Sequence, residues 1–178
     1  RVIAYNFGRE GGTTVALTQN VVSVTRPSIT HDEITLDAYN SKAYLAGKHT
    51  WEMLTVNLRD DATNEIARLV GEQLQKQLDF AEQASAASGV DYKFLTRCEM
   101  LDGGNGASDP VVLETWEIYG CYLNSVNYND LNYGSSEAAT VTLQIRFDNA
   151  LQTPTGSGLG SAVARTVGSI VTGAGTAG

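Results

Sequence analysis

Thr140-Val141-Thr142-Leu143-Gln144-Ile145-Arg146-Phe147 alternates without a break between polar and apolar side chains. Successive residues of a strand point to opposite faces, so Val141, Leu143, Ile145 and Phe147 face a core while Thr140, Thr142, Gln144 and Arg146 face out. A helical period would spread the four apolar residues around a cylinder, so this segment reads as a half-buried strand. The same alternation recurs upstream. In Glu33-Ile34-Thr35-Leu36-Asp37-Ala38-Tyr39 it sets Ile34, Leu36 and Ala38 against a wet face of Glu33, Thr35 and Asp37. Over Thr50 to Leu58 it places Leu54, Val56 and Leu58 on one side and Trp51, Met53, Thr55 and Asn57 on the other. The stretch between these two, residues 40–49, is rich in small and polar residues and reads as a long connecting loop. Nearer the start, Val15 to Thr18 and Val22 to Thr25 are β-prone runs punctuated by Gly11, Gly12 and Pro27.

One segment breaks the pattern. After Arg59-Asp60-Asp61, where an Asp side chain is placed to accept from free N–H groups of a first turn, Ile66, Leu69, Val70, Leu74, Leu78 and Ala81 recur at three- and four-residue intervals. This predicts a helix that covers one side of a sheet, fades through residues 84–88 and stops at Gly89. Two long strands follow, Tyr92 to Leu101 and Val111 to Leu123, joined by a loop of turn chemistry from Asp102 to Pro110. In the second, Glu114 shares a face with Trp116 and Ile118, and Glu117 shares the other with Leu113 and Tyr119, as in a strand covered on both sides. A polar, aromatic link runs from Asn124 to Ser136. The sum is six or seven strands and one helix, a mainly β, antiparallel sandwich or small barrel with a flanking helix.

Composition bounds what such a fold does. The chain has 178 residues, room for one domain with one core. Charged residues are only 18%, below the usual quarter, which suggests a surface partly covered by other subunits. A net charge of -8 and a pI near 4.6 oppose tight wrapping of nucleic acid, which depends on Lys and Arg. They suit a conduit through which DNA slides without sticking. The chain shows no secretory signal and no run of apolar residues long enough to span a bilayer; it opens on Arg1, which points to a short leader missing ahead of it. The common fold occupies residues 1–150. Residues 151–178 turn to Gly, Ser, Thr and Ala with the single charge of Arg165, an extension expected to dock on a neighbouring subunit through Leu159, Val163, Val167, Ile170 and Val171.

Signals for chemistry are sparse. Cys98 and Cys121 lack the paired spacing of a zinc site and read as buried free thiols; a hairpin turning near Asn105 would set Cys98 opposite about Leu113, against an intrachain bridge. His31 and His49, the only histidines, fall in connecting segments and read as solvated loop residues. No nucleophile elbow accompanies them. Gly103-Gly104-Asn105-Gly106 lacks the Lys and Ser/Thr of a phosphate loop and opens a strand. Glu114 and Glu117, three apart on a strand, project to opposite faces and cannot share a glycosidic bond. No catalytic residue, metal site or cofactor is expected.

The order of these elements resembles the tail tube family of contractile phages. The resemblance is carried by Ser23-Val24-Thr25-Arg26-Pro27-Ser28-Ile29, the Glu33 to Tyr39 strand, and Ala43 to Asp61 with its Ala46-Gly47 before the Trp51 strand and its acidic lead into the helix. Glu114-Thr115-Trp116-Glu117-Ile118-Tyr119-Gly120 and the closing strand Val141 to Phe147 complete it, over about residues 20 to 149. It implies a non-enzymatic structural subunit that closes into hexameric rings, each copy giving four strands to one lumen barrel, with rings stacked inside a tail sheath between a baseplate and a terminator. About 24 strands, spaced ~4.8 Å and tilted ~40°, give a backbone diameter near ~48 Å, which leaves room for duplex DNA. The implied place is the tail tube of a virion assembled in the host cytoplasm, with DNA passing at ejection and no sequence-specific binding. Under this reading Glu33, Thr35, Asp37, Asn57, Thr115, Glu117, Thr142 and Gln144 line the lumen and form acidic bands. Asn40, Lys42, Tyr44, Gly47 and Lys48 form a loop that touches the adjacent ring. The tube of a type VI secretion system or a phage-like bacteriocin is the alternative within the class. A small-molecule-binding β-barrel is the alternative outside it.

Overall fold

The computed structural model describes residues 1–8, 14–61, 63–102, 110–131, 134 and 138–154. Along the chain run β1 (Val2–Tyr5), β2 (Thr14–Ala16), β3 (Val21–Val24), β4 (Ile29–Ala38), β5 (Ser41–Trp51), β6 (Leu54–Arg59) and α1 (Glu65–Gln77). Then come β7 (Leu78–Asp79), β8 (Ala84–Ser85), α2 (Gly89–Tyr92), β9 (Phe94–Leu101), β10 (Val112–Tyr128), β11 (Thr140–Arg146) and β12 (Asn149–Pro154). Every pairing is antiparallel.

The long strand β10 organises the rest. Its first half lies between β9 and β12, with β1 and β2 continuing outward from β9. Its second half pairs with β11, followed by β6 and β3. The chain changes wing at Gly120, whose φ of +66° is open to glycine and strained for other residues. The register against β9 shifts between Ile118 and Cys121, and that against β11 shifts between Leu123 and Ser125. Such bulges bend a strand and raise its twist. The helix holds the bend from the side: the Gln77 amide donates to the Leu123 carbonyl and accepts from the Leu123 N–H, both at 2.9 Å.

The inner faces of the two wings share one core. Val2, Ala4, Phe94 and Ile118 come from the first wing, Leu54, Val56, Leu58, Val141, Leu143 and Ile145 from the second, and Ile66, Leu69 and Val70 from α1. The expected antiparallel sandwich with a flanking helix is therefore observed. Its form is open, because β3 and β12 are each paired on one side only among the described residues. Inside it, Gln73 is fully buried and satisfied, accepting from the Gly8 N–H at 3.1 Å and donating to the Tyr92 carbonyl at 2.7 Å.

Several element boundaries differ from the sequence expectation. The helix ends at Gln77, not Gly89: Leu78 is already extended, β7 and β8 form a small hairpin, and Ser88 caps the separate short helix α2. Leu78 and Ala81, read as part of the helical stripe, lie outside it and are exposed. At the helix start Asn64, in a left-handed conformation, is the N-cap; the Asp61 carboxylate instead accepts from the Thr63 N–H and hydroxyl, which lowers its pKa. Residues 124–128, read as a link, continue β10. The continuous strand read from Thr50 to Leu58 is broken at Glu52 and Met53, between β5 and β6. β12 extends four residues past the boundary set at Ala150. The remainder of the extension, the loop over residues 103–109 and Ser136 lie outside the described residues. Cys98 stands opposite Trp116, not Leu113. Both thiols are free; burial pushes Cys98 up to about 11 and Cys121 up to about 12.

The largest difference concerns residues 40–49. They are not a loop but most of β5, paired with β4 in a two-stranded arm that turns at Tyr39 and Asn40. β4 alone would span roughly 33 Å. Small and polar residues hid this strand: Leu45 is the one large aliphatic residue from Asn40 to His49, so no apolar alternation shows, whereas the equally exposed β4 carries Ile34 and Leu36.

Candidate assembly surfaces

The outer face of the second wing is a sheet of hydroxyls and amides. Its inner residues Leu54, Val56, Leu58, Val141, Leu143 and Ile145 are buried, so the intervening positions must point out. Register aligns Ser23, Asn57, Thr142 and Asn127 in one row across β3, β6, β11 and β10. Thr142 donates to the Asn57 side-chain oxygen at 2.8 Å, and the Asn57 amide donates to the Ser23 hydroxyl at 2.8 Å. In the next row Thr55, Gln144 and Ser125 align, and the Thr55 N–H donates to the Thr25 hydroxyl at 2.9 Å. On the other side Asn129 donates to the Thr140 hydroxyl at 2.7 Å. Among the described residues of these strands, charge enters this face through cations at its ends, Arg59 opposite Thr140 and Arg146 opposite Tyr122.

The first wing has a different outer face. Arg97 donates to Glu117 at 2.5 Å, and the Tyr119 hydroxyl donates to the same carboxylate at 2.7 Å. The Tyr119 hydroxyl, and then the Arg97 guanidinium, hold the Glu117 carboxyl below its ordinary range; Tyr119 is correspondingly raised. Thr115 lies on the same side of β10 as Glu117, opposite Glu99 and Thr153. Arg1 extends the network by its Nε contact to Glu99 at 2.6 Å.

The arm shows two chemically distinct faces. Ile34 stands opposite Leu45, Leu36 opposite Ala43 and Ala38 opposite Ser41. This aliphatic face belongs to no core: Ile34 and Leu36 are each 48% exposed and Leu45 52%. On the reverse face Glu33 stands opposite Ala46, Thr35 opposite Tyr44, and Asp37 opposite Lys42 at an ion-pair distance of 4.0 Å. Tyr39, fully exposed with φ +50°, and Asn40 make the tip. Gly47 and Lys48 form a bulge opposite Asp32, where a Cβ on Gly47 would meet the Asp32 carbonyl at 2.9 Å.

The eight residues read as lumen-facing thus fall into three groups: Asn57, Thr142 and Gln144 on the second wing, Thr115 and Glu117 on the first, and Glu33, Thr35 and Asp37 on the arm. Sequence reasoning missed Ser23, Ser125, Asn127 and Asn129, which finish the polar face. Their signal was register, which no single strand displays. Sequence reasoning set Ile34, Leu36 and Ala38 apart from one wet face, whereas both faces of the arm are exposed among the described residues. Among the described residues no three His, Cys, Asp or Glu side chains gather to hold a metal ion, and no helix is long and apolar enough to cross a membrane.

No family model and no curated protein matches the sequence. Solved structures do match the fold. A chain in the cryo-EM structure of the anti-feeding prophage baseplate, 6-fold symmetrised, aligns with TM-score 0.59 at 14% identity over 86% of this chain and 91% of that one. A chain of an extracellular contractile injection system, the PVC sheath-tube complex in the extended state, aligns with TM-score 0.54 at 16% identity over 87% and 89%. An Hcp protein aligns with TM-score 0.51 at 6% identity over 89% and 94%. At these identities the likeness is one of backbone architecture, and it agrees with the order of elements read from the sequence. The chain has the tail-tube fold of contractile injection systems.

Proposed function

We propose that this chain is the repeating subunit of a hollow tube, closing into hexameric rings that stack inside a contractile sheath. The observation that carries the reading is the second wing: four strands, an apolar inner face, a hydrogen-bonded polar outer face, and two edges, β3 and the second half of β10, paired on one side only among the described residues. Exposed edges invite pairing with another chain, and closure of copies around a bore removes them. In the ring the polar face lines the bore, with Asn57, Thr142 and Gln144 at its centre. The arm reaches the adjacent ring and lays Ile34, Leu36 and Leu45 on a neighbour, taking Lys42, Tyr44 and Lys48 with it. The tube's role is mechanical, without catalysis, cofactor or sequence-specific DNA contact. Its partners are further copies, the sheath, the baseplate and a terminator.

The cargo in this reading is DNA at ejection from a virion whose tail assembles in the host cytoplasm. A second reading, protein cargo in an injection particle, is favoured by the alignments to anti-feeding prophage and PVC chains. Negative-stain electron microscopy of the concentrated protein tests the shared claim. Stacked hollow rings are expected. A single compact particle of 19.0 kDa at every concentration, measured by light scattering, overturns it. Nucleic acid or protein recovered from tubes purified from their particle separates the two cargoes.

A further inference from the structure

The chain has two histidines, and the fold places them face to face. His31 on β4 is the register partner of His49 on β5, with ring centroids 6.0 Å apart and planes inclined at 50°. Both are exposed. The row beneath them pairs Ile29 with Trp51. There the Trp51 ring meets His49 edge-on at 6.2 Å and packs on Phe147 of the core at 5.6 Å. The pair therefore sits at the root of the arm, on the last residues that the core anchors. Immediately above, the Gly47-Lys48 bulge shifts the register, so that two residues of β5 oppose Asp32. Were the pairing to run on unshifted from Glu33 and Ala46, His31 would stand opposite Lys48 and His49 opposite Thr30, on the other face of the arm.

Two imidazole nitrogens each about 2.0–2.1 Å from one ion put the ring centroids about 4.5 Å apart at a right angle and about 5 Å apart at a tetrahedral one. The observed separation of 6.0 Å is about 1 Å wider than the tetrahedral value, a closure that two exposed side chains on paired residues are free to make. Imidazole nitrogen is a donor suited to copper, nickel and zinc, with affinity rising to a maximum at Cu2+. Glu33 follows His31 on the same face of β4, and both border a shallow cleft of about 250 Å3 with Tyr44. A two-stranded hairpin is marginally stable by itself, and a bridge across its base opposes splaying of the strands.

We propose that His31 and His49 form a cross-strand chelate for a divalent transition metal ion of the copper, nickel and zinc group, which staples the root of the arm. Water completes the coordination. The site is formed within one chain, so it stands whether or not the chain builds a tube.

Titration of the purified chain at neutral pH tests it, with Cu2+ followed by tryptophan fluorescence and Zn2+ by the imidazole resonances in NMR. One ion per chain is expected. Cu2+ should quench Trp51, and Zn2+ should shift both histidine spin systems in a single concerted step. Losing one arm of a chelate removes the intramolecular second binding event, so His31→Ala and His49→Ala should each weaken Cu2+ by about a hundredfold. Unchanged affinity in either variant overturns the proposal. So does a wild-type spectrum in which the two histidines respond at different Zn2+ concentrations, a result that needs no variant to fold.

Discussion

Substituting Gly120 by Ala should strike the point where β10 passes from one wing to the other. The φ of +66° sits in the left-handed region, where a Cβ costs about 1–2 kcal/mol. The new atom would also stand 2.1 Å from Oδ2, 2.6 Å from Cγ and 3.1 Å from Cβ of Asp148. Asp148 cannot move away freely. Its carboxylate accepts from Lys93 Nζ at 2.6 Å, and its N–H donates to the Tyr119 carbonyl at 3.0 Å. Lys93 is raised in pKa chiefly by that hydrogen bond. The pair is partly exposed, so breaking it costs only about 0.5 kcal/mol. Crowding against the Asp148 side chain adds about 1 kcal/mol. The total is about 3 kcal/mol, or a melting temperature lower by about 6–12 °C for a domain of this size. Thermal and urea unfolding measure it. Repeating Gly120→Ala on an Asp148→Ala background should leave mainly the backbone cost of about 1–2 kcal/mol. Stability within about 0.5 kcal/mol of the parent, or an equal loss in both backgrounds, would refute the account.

Charging the aliphatic face of the arm with Ile34→Asp and Leu36→Asp should leave the isolated chain's stability within about 0.5 kcal/mol, because neither side chain enters the core. The same variants should abolish tube formation in electron microscopy. Glu117 has a lowered folded pKa, so its contribution is present above its ordinary value of 4.5 and fades as pH falls through the folded value; Glu117→Gln should flatten the acid limb of a stability-against-pH curve. Cys121, buried and pushed up to about 12, should resist alkylation at pH 8 in the folded chain and react promptly in urea, read by mass spectrometry. Gly47→Ala should force the Asp32 carbonyl away and straighten the arm, changing the cross-strand contacts of His31 and His49 in NMR while the core signals stay in place.

What the sequence revealed followed alternation. Val141 to Phe147 and Leu54 to Leu58 were legible because one of their faces meets the core, and alternation records that contrast directly. The helix start was legible in Ile66, Leu69 and Val70 for the same reason. Its end was not: Leu78 and Ala81 continue the helical spacing, yet Leu78 is already extended. β5 was invisible because Ser41, Lys42, Ala43, Ala46, Gly47 and Lys48 show no apolar alternation, whereas β4, equally exposed among the described residues, shows it in Ile34 and Leu36. Gly47, placed by sequence in a contact loop, has a local task that only the approach of the Asp32 carbonyl discloses. The histidines were read singly, and a bulge that no composition announces is what brings them together.

The distribution of charge bears on how a tube of this protein would pass cargo. A net charge of -8 suggests a bore coated with carboxylates, yet the second wing's outer face presents hydroxyls and amides that hydrogen-bond to one another across β3, β6 and β11. Acidic residues lie elsewhere: Asp60, Asp61, Glu65 and Glu72 around the start of α1, Asp79, Glu82 and Asp91 between α1 and β9, and Glu33 and Asp37 on the arm. Hydroxyls and amides that satisfy one another offer a passing chain few strong partners. They also hold no counterions to be released by it. Repulsion by carboxylates would fade with salt, because the Debye length falls to about 8 Å at physiological ionic strength. Between Arg59 and Arg146 at its ends, the uncharged middle of this face keeps its low adhesion across that range. If the second wing lines the bore, slip over its middle comes from hydroxyls and amides that bond to one another rather than from carboxylates, and introducing Thr142→Lys there should steepen the salt dependence of nucleic acid passage above whatever Arg59 and Arg146 give the parent tube.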